Sequence, residues 1–128
     1  IPYNMNKSIL VVDDDKICNF LTVNALKKAG VNGKIDVVVN GLEALKKLRE
    51  YQSFPDLILL DINMPIMDGM EFLKKYKSEG FEGRTKIAMY TSSIREIDKT
   101  EAFLYNDVFE FINKPISHQK LVNIIKEI

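Results

Sequence analysis

The sequence predicts a doubly wound α/β domain on a five-stranded parallel sheet, and three observations carry that expectation. Strand-like and helix-like segments alternate five times along the chain. Most of the strand-like segments are continuous apolar runs rather than alternating ones, so both of their faces are covered. Covering both faces takes a helical layer on each side, and right-handed crossovers then leave few topologies. The 128 residues fit one domain, with 46% hydrophobic and 28% charged residues, close to the globular average.

The elements follow in order. Residues 8–12 (SILVV) form a short apolar run rich in β-branched side chains. Residues 15–29 place Ile17, Phe20, Leu21 and Ala25 at helical spacing, with Gly30 suited to the position just past a helix end. Residues 35–39 are β-branched again. Residues 42–51 carry Leu42, Leu45 and Leu48 on one face, with Asn40 as N-cap. Residues 56–61 (DLILLD) are the central apolar run. Residues 69–78 are helical, and Asp68 three residues before Glu71 makes an Asp version of the capping box. Residues 86–91 (KIAMYT) read as a strand, 94–105 as a helix, 109–113 as a strand, and 117–128 as a final amphipathic helix capped by Ser117.

Residues 1–7 are polar and irregular. They are expected to be an N-terminal extension or an expression remnant, with Met5 the candidate natural start and the domain spanning 8–128. Eighteen basic and eighteen acidic residues give zero net charge, which argues against a nucleic-acid binder working through bulk electrostatics. The longest apolar runs, residues 9–12 and 57–60, fall far short of the ~20 residues a membrane span needs. One cysteine, Cys18, excludes an internal disulfide and fits a reducing, cytoplasmic setting. With a single histidine beside it, a Cys/His zinc site is excluded too.

In folds of this class ligands sit beyond the carboxyl ends of the strands. Four of the five ends are polar: Asp13-Asp14-Asp15, Asp61, Thr91-Ser92-Ser93 and Lys114-Pro115. Clustered carboxylates repel unless a cation offsets them. A hard divalent ion with oxygen ligands does so, and Mg²⁺ suits a site with few carboxylates and several waters. Adding Lys114 and the Thr91 hydroxyl makes a receptor for a tetrahedral dianion and for the charge that develops in phosphoryl transfer. Asp61, at the end of the central run, is the carboxylate placed as nucleophile. Asp15 and Asp68 are read as helix caps, His118 as a surface residue and Cys18 as a small packed side chain. Phe103, Tyr105, Phe109 and Phe111 are expected to be mostly core.

The segments VVDDD, DLILLDINMPIMDG, MYTSS and FINKP resemble those of the receiver domain of two-component response regulators, in the family's order and over essentially the whole domain. The resemblance implies a flavodoxin-like sheet in the order 2-1-3-4-5. It implies that Asp61 accepts a phosphoryl group, that Asp14 holds Mg²⁺ directly and Asp13 largely through water, and that Asn63 lends its backbone carbonyl. Thr91 and Lys114 would contact the phosphoryl oxygens, Phe111 would be the aromatic switch partner of Thr91, and the bond to Pro115 would be cis. The implied partners are a sensor histidine kinase or histidine phosphotransfer protein, and a downstream protein or an output domain on a longer chain. Neither nucleic acid nor a membrane is expected as a direct partner. Such a domain is no enzyme beyond catalysing its own phosphorylation and dephosphorylation. Two departures stand out. Many receivers have Gly in a left-handed turn before the fifth strand, where this chain has Asn106-Asp107, and the switch aromatic is Phe rather than Tyr.

Three other readings compete. A metal-dependent phosphatase of haloacid-dehalogenase type would need an Asp general acid two residues past the nucleophile, where Asn63 stands. A flavin-binding relative would need a phosphate cradle of Gly, Ser and Thr after the first strand, where three aspartates stand instead. A degenerate receiver acting only as a binding module would have lost part of the set Asp13, Asp14, Asp61, Thr91 and Lys114.

Overall fold

A computed structural model describes residues 6–128, so Met5 and the residues before it lie outside the described residues. The elements run β1 (Ile9–Val12), α1 (Lys16–Lys28), β2 (Ile35–Val38), α2 (Gly41–Glu50), β3 (Leu57–Leu60), α3 (Gly69–Ser78), β4 (Lys86–Thr91), α4 (Glu96–Ala102), β5 (Val108–Asn113) and α5 (His118–Glu127). The sheet order is β2-β1-β3-β4-β5, with every neighbouring pair parallel.

The apolar runs work as expected because a strand sends alternate side chains to opposite faces. Leu10, Val12, Ile58, Leu60, Ile87 and Met89 join one core, under α2 and α3. Ile9, Val11, Leu57, Leu59, Ala88 and Tyr90 join the other, under α1 and α5. The edge strand β2 departs from this rule. It is only half-buried, and Val37 is 40% exposed.

Helix α1 corrects the sequence reading. Ile17, Phe20 and Leu21 all face solvent, and Ile17 is 75% exposed. The inward residues are Asn19, Thr22, Leu26 and Ala29. Their spacing of three and four residues is equally helical. The first turns of α1 stand over the polar strand ends rather than over the apolar core. Side chains able to hydrogen-bond therefore point inward there, and the apolar ones are left outside.

Helix α4 is shorter than the predicted 94–105. Its cap position, Arg95, makes no side-chain cap bond. At the other end the amides of Leu104 and Tyr105 donate to carbonyls three residues back, so the chain tightens out of the α-helix. Phe103 is exposed, while Tyr105, Phe109 and Phe111 are half-buried, so none of the four aromatics is wholly core.

The turn before β5 is not left-handed. Among the described residues, Ile66 is the only non-glycine with positive φ, at 71°. Asp107 instead acts as a brace: its carboxylate accepts from the buried Tyr76 hydroxyl and from the Gly83 amide, tying α3 and the α3–β4 loop to the start of β5. The predicted caps at Asp15, Asn40, Asp68 and Ser117 are all present, with a complete capping box at Asp68 and Glu71.

Candidate functional site

Because every strand runs the same way, the carboxyl ends of β1, β3, β4 and β5 meet at one edge of the sheet. Asp13 and Asp14 follow β1, Asp61 follows β3, Thr91 closes β4 and Lys114 follows β5. Carboxylate oxygens of Asp13, Asp14 and Asp61 all lie within 4.8 Å of one another. Asp13 and Asp61 are buried, and Asp14 is exposed.

Each buried carboxylate is held by the backbone around it. Asp13 Oδ1 accepts from the Asp15 amide at 3.0 Å, and Asp61 Oδ1 from the Ile62 amide at 2.7 Å. The Asp61 amide donates to the Val12 carbonyl at 3.0 Å, which ties the end of β3 to that of β1. Lys114 Nζ bridges the two acids, 2.6 Å from Asp13 Oδ2 and 3.1 Å from Asp61 Oδ2. Its ammonium also lies over the Tyr90 ring, 5.5 Å from the centroid. Burial alone would push the Lys114 pKa down. The hydrogen bonds and charges of Asp13 and Asp61 outweigh burial and raise it, so the lysine stays charged.

Thr91 is fully buried, and its Oγ1 accepts from the Ser93 amide at 3.1 Å, leaving the hydroxyl proton free to donate. The Lys114 amide donates to the Thr91 carbonyl at 2.9 Å, coupling the ends of β4 and β5. The Lys114-Pro115 bond is cis. Asn63 is exposed on the loop that leaves Asp61. Phe111 is half-buried and packs against the core under α2 and α3. His118 is exposed in the first turn of α5.

Two residues at this edge escaped the sequence reading. Gly69 begins α3, and a Cβ there would lie 2.2 Å from the Asp61 carbonyl oxygen. Only glycine allows the loop to close on the strand that carries Asp61. Asn19 sits on the inward face of α1 and donates to the Asp13 carbonyl at 2.8 Å. Its spacing from Thr22 and Leu26 was the signal that could have found it.

One ammonium faces three carboxylates, so the pocket keeps an excess of negative charge. The donors are all oxygen, and two of the three acids are nearly dehydrated. That set fits a small hard divalent cation and suits softer metals poorly.

A parallel sheet between two helical layers, with an acid cluster, a lysine and a hydroxyl at its ligand edge, defines a class of phosphoacceptor switch. The chain matches the response regulator receiver domain model over residues 9–126, and it belongs to that family. It is 35% identical over 119 residues to Two-component response regulator 24 of Arabidopsis thaliana, covering 93% of this chain and 81% of that one. Among solved structures it resembles the phosphorylated cyanobacterial phytochrome response regulator RcpA. That pair has a TM-score of 0.78 and 35% identity, and the match covers 95% of this chain and 90% of the other. It also resembles the Mn(2+)-bound form of response regulator Rcp1, with a TM-score of 0.76 and 27% identity over 94% of this chain and 90% of that one. Among the described residues, no helix is long and apolar enough to cross a membrane.

Proposed function

We propose that Asp61 is the phosphoacceptor of a Mg²⁺-dependent phosphorelay switch. The observation that carries this reading is the convergence on Asp61 of two further carboxylates and one ammonium, at the sheet edge where Thr91 closes β4. The donor is a phosphohistidine on a sensor histidine kinase or a histidine phosphotransfer protein. A carboxylate oxygen of Asp61 attacks the phosphorus. The O–P bond forms as the N–P bond breaks, and the electron pair returns to the imidazole nitrogen. Lys114 and the Thr91 hydroxyl hold the phosphoryl oxygens. Asp14 directly, Asp13 through water, Asp61, and the Asn63 carbonyl would hold Mg²⁺, which supplies charge neutralisation at the phosphoryl group. The domain promotes this transfer and the later hydrolysis on itself and turns over no independent substrate.

The outward apolar face of α1 supports a protein donor. Ile17 and Leu21 line a groove of about 320 Å³ with Tyr90, Pro115 and Ile116, and Lys114 lies at the same groove. An apolar surface beside the acceptor lets the donor dock by burial while its phosphohistidine reaches the pocket. On the output side, attraction of Thr91 to the phosphoryl oxygens draws in the β4–α4 loop and gives Phe111 room to turn inward. That changes the face of α4, β5 and α5 seen by a downstream protein or output domain.

The test is phosphorylation by acetyl phosphate or phosphoramidate with Mg²⁺. One phosphoryl group, labile to base and hydroxylamine, is expected at Asp61 and absent from Asp61→Asn. Labelling of that variant at the wild-type level rejects the assignment.

A further inference from the structure

We infer that Asn19 is a positioning residue for the cation site: it fixes the peptide plane between Asp13 and Asp14 and so aims the exposed carboxylate. Every other polar group of Asp13 is pinned from a different direction. Its amide donates to the Val38 carbonyl at 3.1 Å, its Oδ1 accepts from the Asp15 amide at 3.0 Å and its Oδ2 from Lys114 Nζ at 2.6 Å. The carbonyl is left, and Asn19 Nδ2 donates to it at 2.8 Å. That carbonyl belongs to the same planar unit as the Asp14 amide, so holding it sets where the Asp14 Cα stands. Asp14 is exposed and has no burial of its own to hold it in place.

Asn19 does this at a cost. It is 7% exposed, and among the described residues its Oδ1 is the one buried side-chain polar atom without a hydrogen-bond partner. Burying an unpaired carbonyl oxygen destabilises a fold, and an apolar residue here would remove that oxygen but strand the Asp13 carbonyl instead. The amide is explained by the one hydrogen bond it makes, to the Asp13 carbonyl. Asn19 itself is firmly seated, its amide donating to the carbonyl of the capping residue Asp15 at 2.9 Å.

This inference rests on the reading that Asp13, Asp14 and Asp61 hold Mg²⁺, and its test separates the two. Mg²⁺ is titrated calorimetrically into the full chain as wild type, Asn19→Leu and Asn19→Ala, and thermal unfolding of each is followed in a chelator. Groups that orient metal ligands typically change affinity by about 10- to 100-fold when removed. Asn19→Leu is expected to bind Mg²⁺ about tenfold more weakly while unfolding close to the wild-type temperature, since one unpaired buried oxygen replaces another, and Asn19→Ala to lose a similar factor. Wild-type affinity in both variants overturns the inference. So does weaker binding that merely tracks an equal loss of metal-free stability in both, since Asn19 would then be structural. Absence of saturable Mg²⁺ binding by the wild type overturns the metal reading, and the inference with it.

Discussion

Lys114 Nζ reaches 2.6 Å from Oδ2 of Asp13 although the strands carrying them are not neighbours, for β3 and β4 lie between β1 and β5. The side chain therefore crosses the mouth of the pocket and meets Asp61 on the way, at 3.1 Å. It is the part of the site that closes the acid cluster against its own repulsion.

Lys114→Met removes the charge that two buried carboxylates face. In a chelator it is expected to lower stability by about 1–3 kcal/mol, the scale for stranding a buried polar group. Saturating Mg²⁺ should narrow the gap to wild type, because the ion offsets the same carboxylates. The lysine pKa is raised in the fold, so its contribution is complete below the ordinary value of 10.5 and is lost as pH climbs toward the folded value. Urea denaturation across neutral pH should show a constant gap that closes only above that value. A gap that Mg²⁺ leaves unchanged contradicts this account.

The loop after Asp61 holds strain at one residue and depends on glycine at another. Ile66 is β-branched, 77% exposed and at φ 71°. Such backbone costs about 1–3 kcal/mol, against ~0.5–1 kcal/mol for the extra freedom of an unfolded glycine. Ile66→Gly is therefore expected to raise stability by about 1 kcal/mol and to leave phosphorylation by acetyl phosphate intact. Gly69→Ala should do the opposite, losing about 1–3 kcal/mol as its Cβ meets the Asp61 carbonyl and slowing phosphorylation. Equal melting temperatures for Ile66→Gly and wild type would show that the strain is absent.

Tyr76 and Tyr51 should titrate late. Burial first, then the hydrogen bond and charge of Asp107, push the Tyr76 phenol well up; burial and Asp36 do the same for Tyr51. A raised pKa means that stability is intact below the ordinary phenol value of 10.0 and falls as pH rises through the folded value. While the fold persists at about pH 11, Tyr76→Phe and Tyr51→Phe should show the same phenolate absorbance as wild type, since an ordinary phenol would already have ionised. A loss of one full phenolate from either variant in the folded state counts against the buried geometry.

Thr91→Ala should uncouple the pocket from the output face. It is expected to accept a phosphoryl group slowly but not to transmit it. Full burial of an exposed ring is worth about 1.5–3 kcal/mol, and Phe111, already half-buried, gains only part of that on turning inward, so the two states must lie close in free energy. Amide chemical shifts with and without beryllofluoride measure this. Shifts across residues 95–125 in wild type should largely vanish in Thr91→Ala, and equal shifts in both would assign the coupling to another residue.

The sequence made the sheet legible because its signals there are redundant. Leu57–Leu60 is a continuous apolar run of strand length, covered on both sides, and Asp13, Asp61 and Thr91 each end or follow such a run. Capping was legible too, since the side chains of Asp15 and Asp68 act on amides within three residues. Helix faces were harder. The outward turn of Ile17, Phe20 and Leu21 depends on what α1 covers, and periodicity does not encode the partner of a stripe. Asn19, Gly69 and Asp107 were hidden for a related reason, because each acts on backbone distant in sequence or on the far side of a turn. The short α4 lacks a side-chain cap, so its apolar pattern ran past its ends.

The contact between Lys114 and Asp13 spans 101 residues of chain, which decides when the protein becomes able to receive a signal. During synthesis the acids of β1 and β3 leave the ribosome first, and the lysine that bridges them follows only after β5. No fragment that stops before β5 holds the full pocket, and none that begins after β1 holds it either. The complete pocket therefore exists only once β1, β3 and β5 have all entered the sheet.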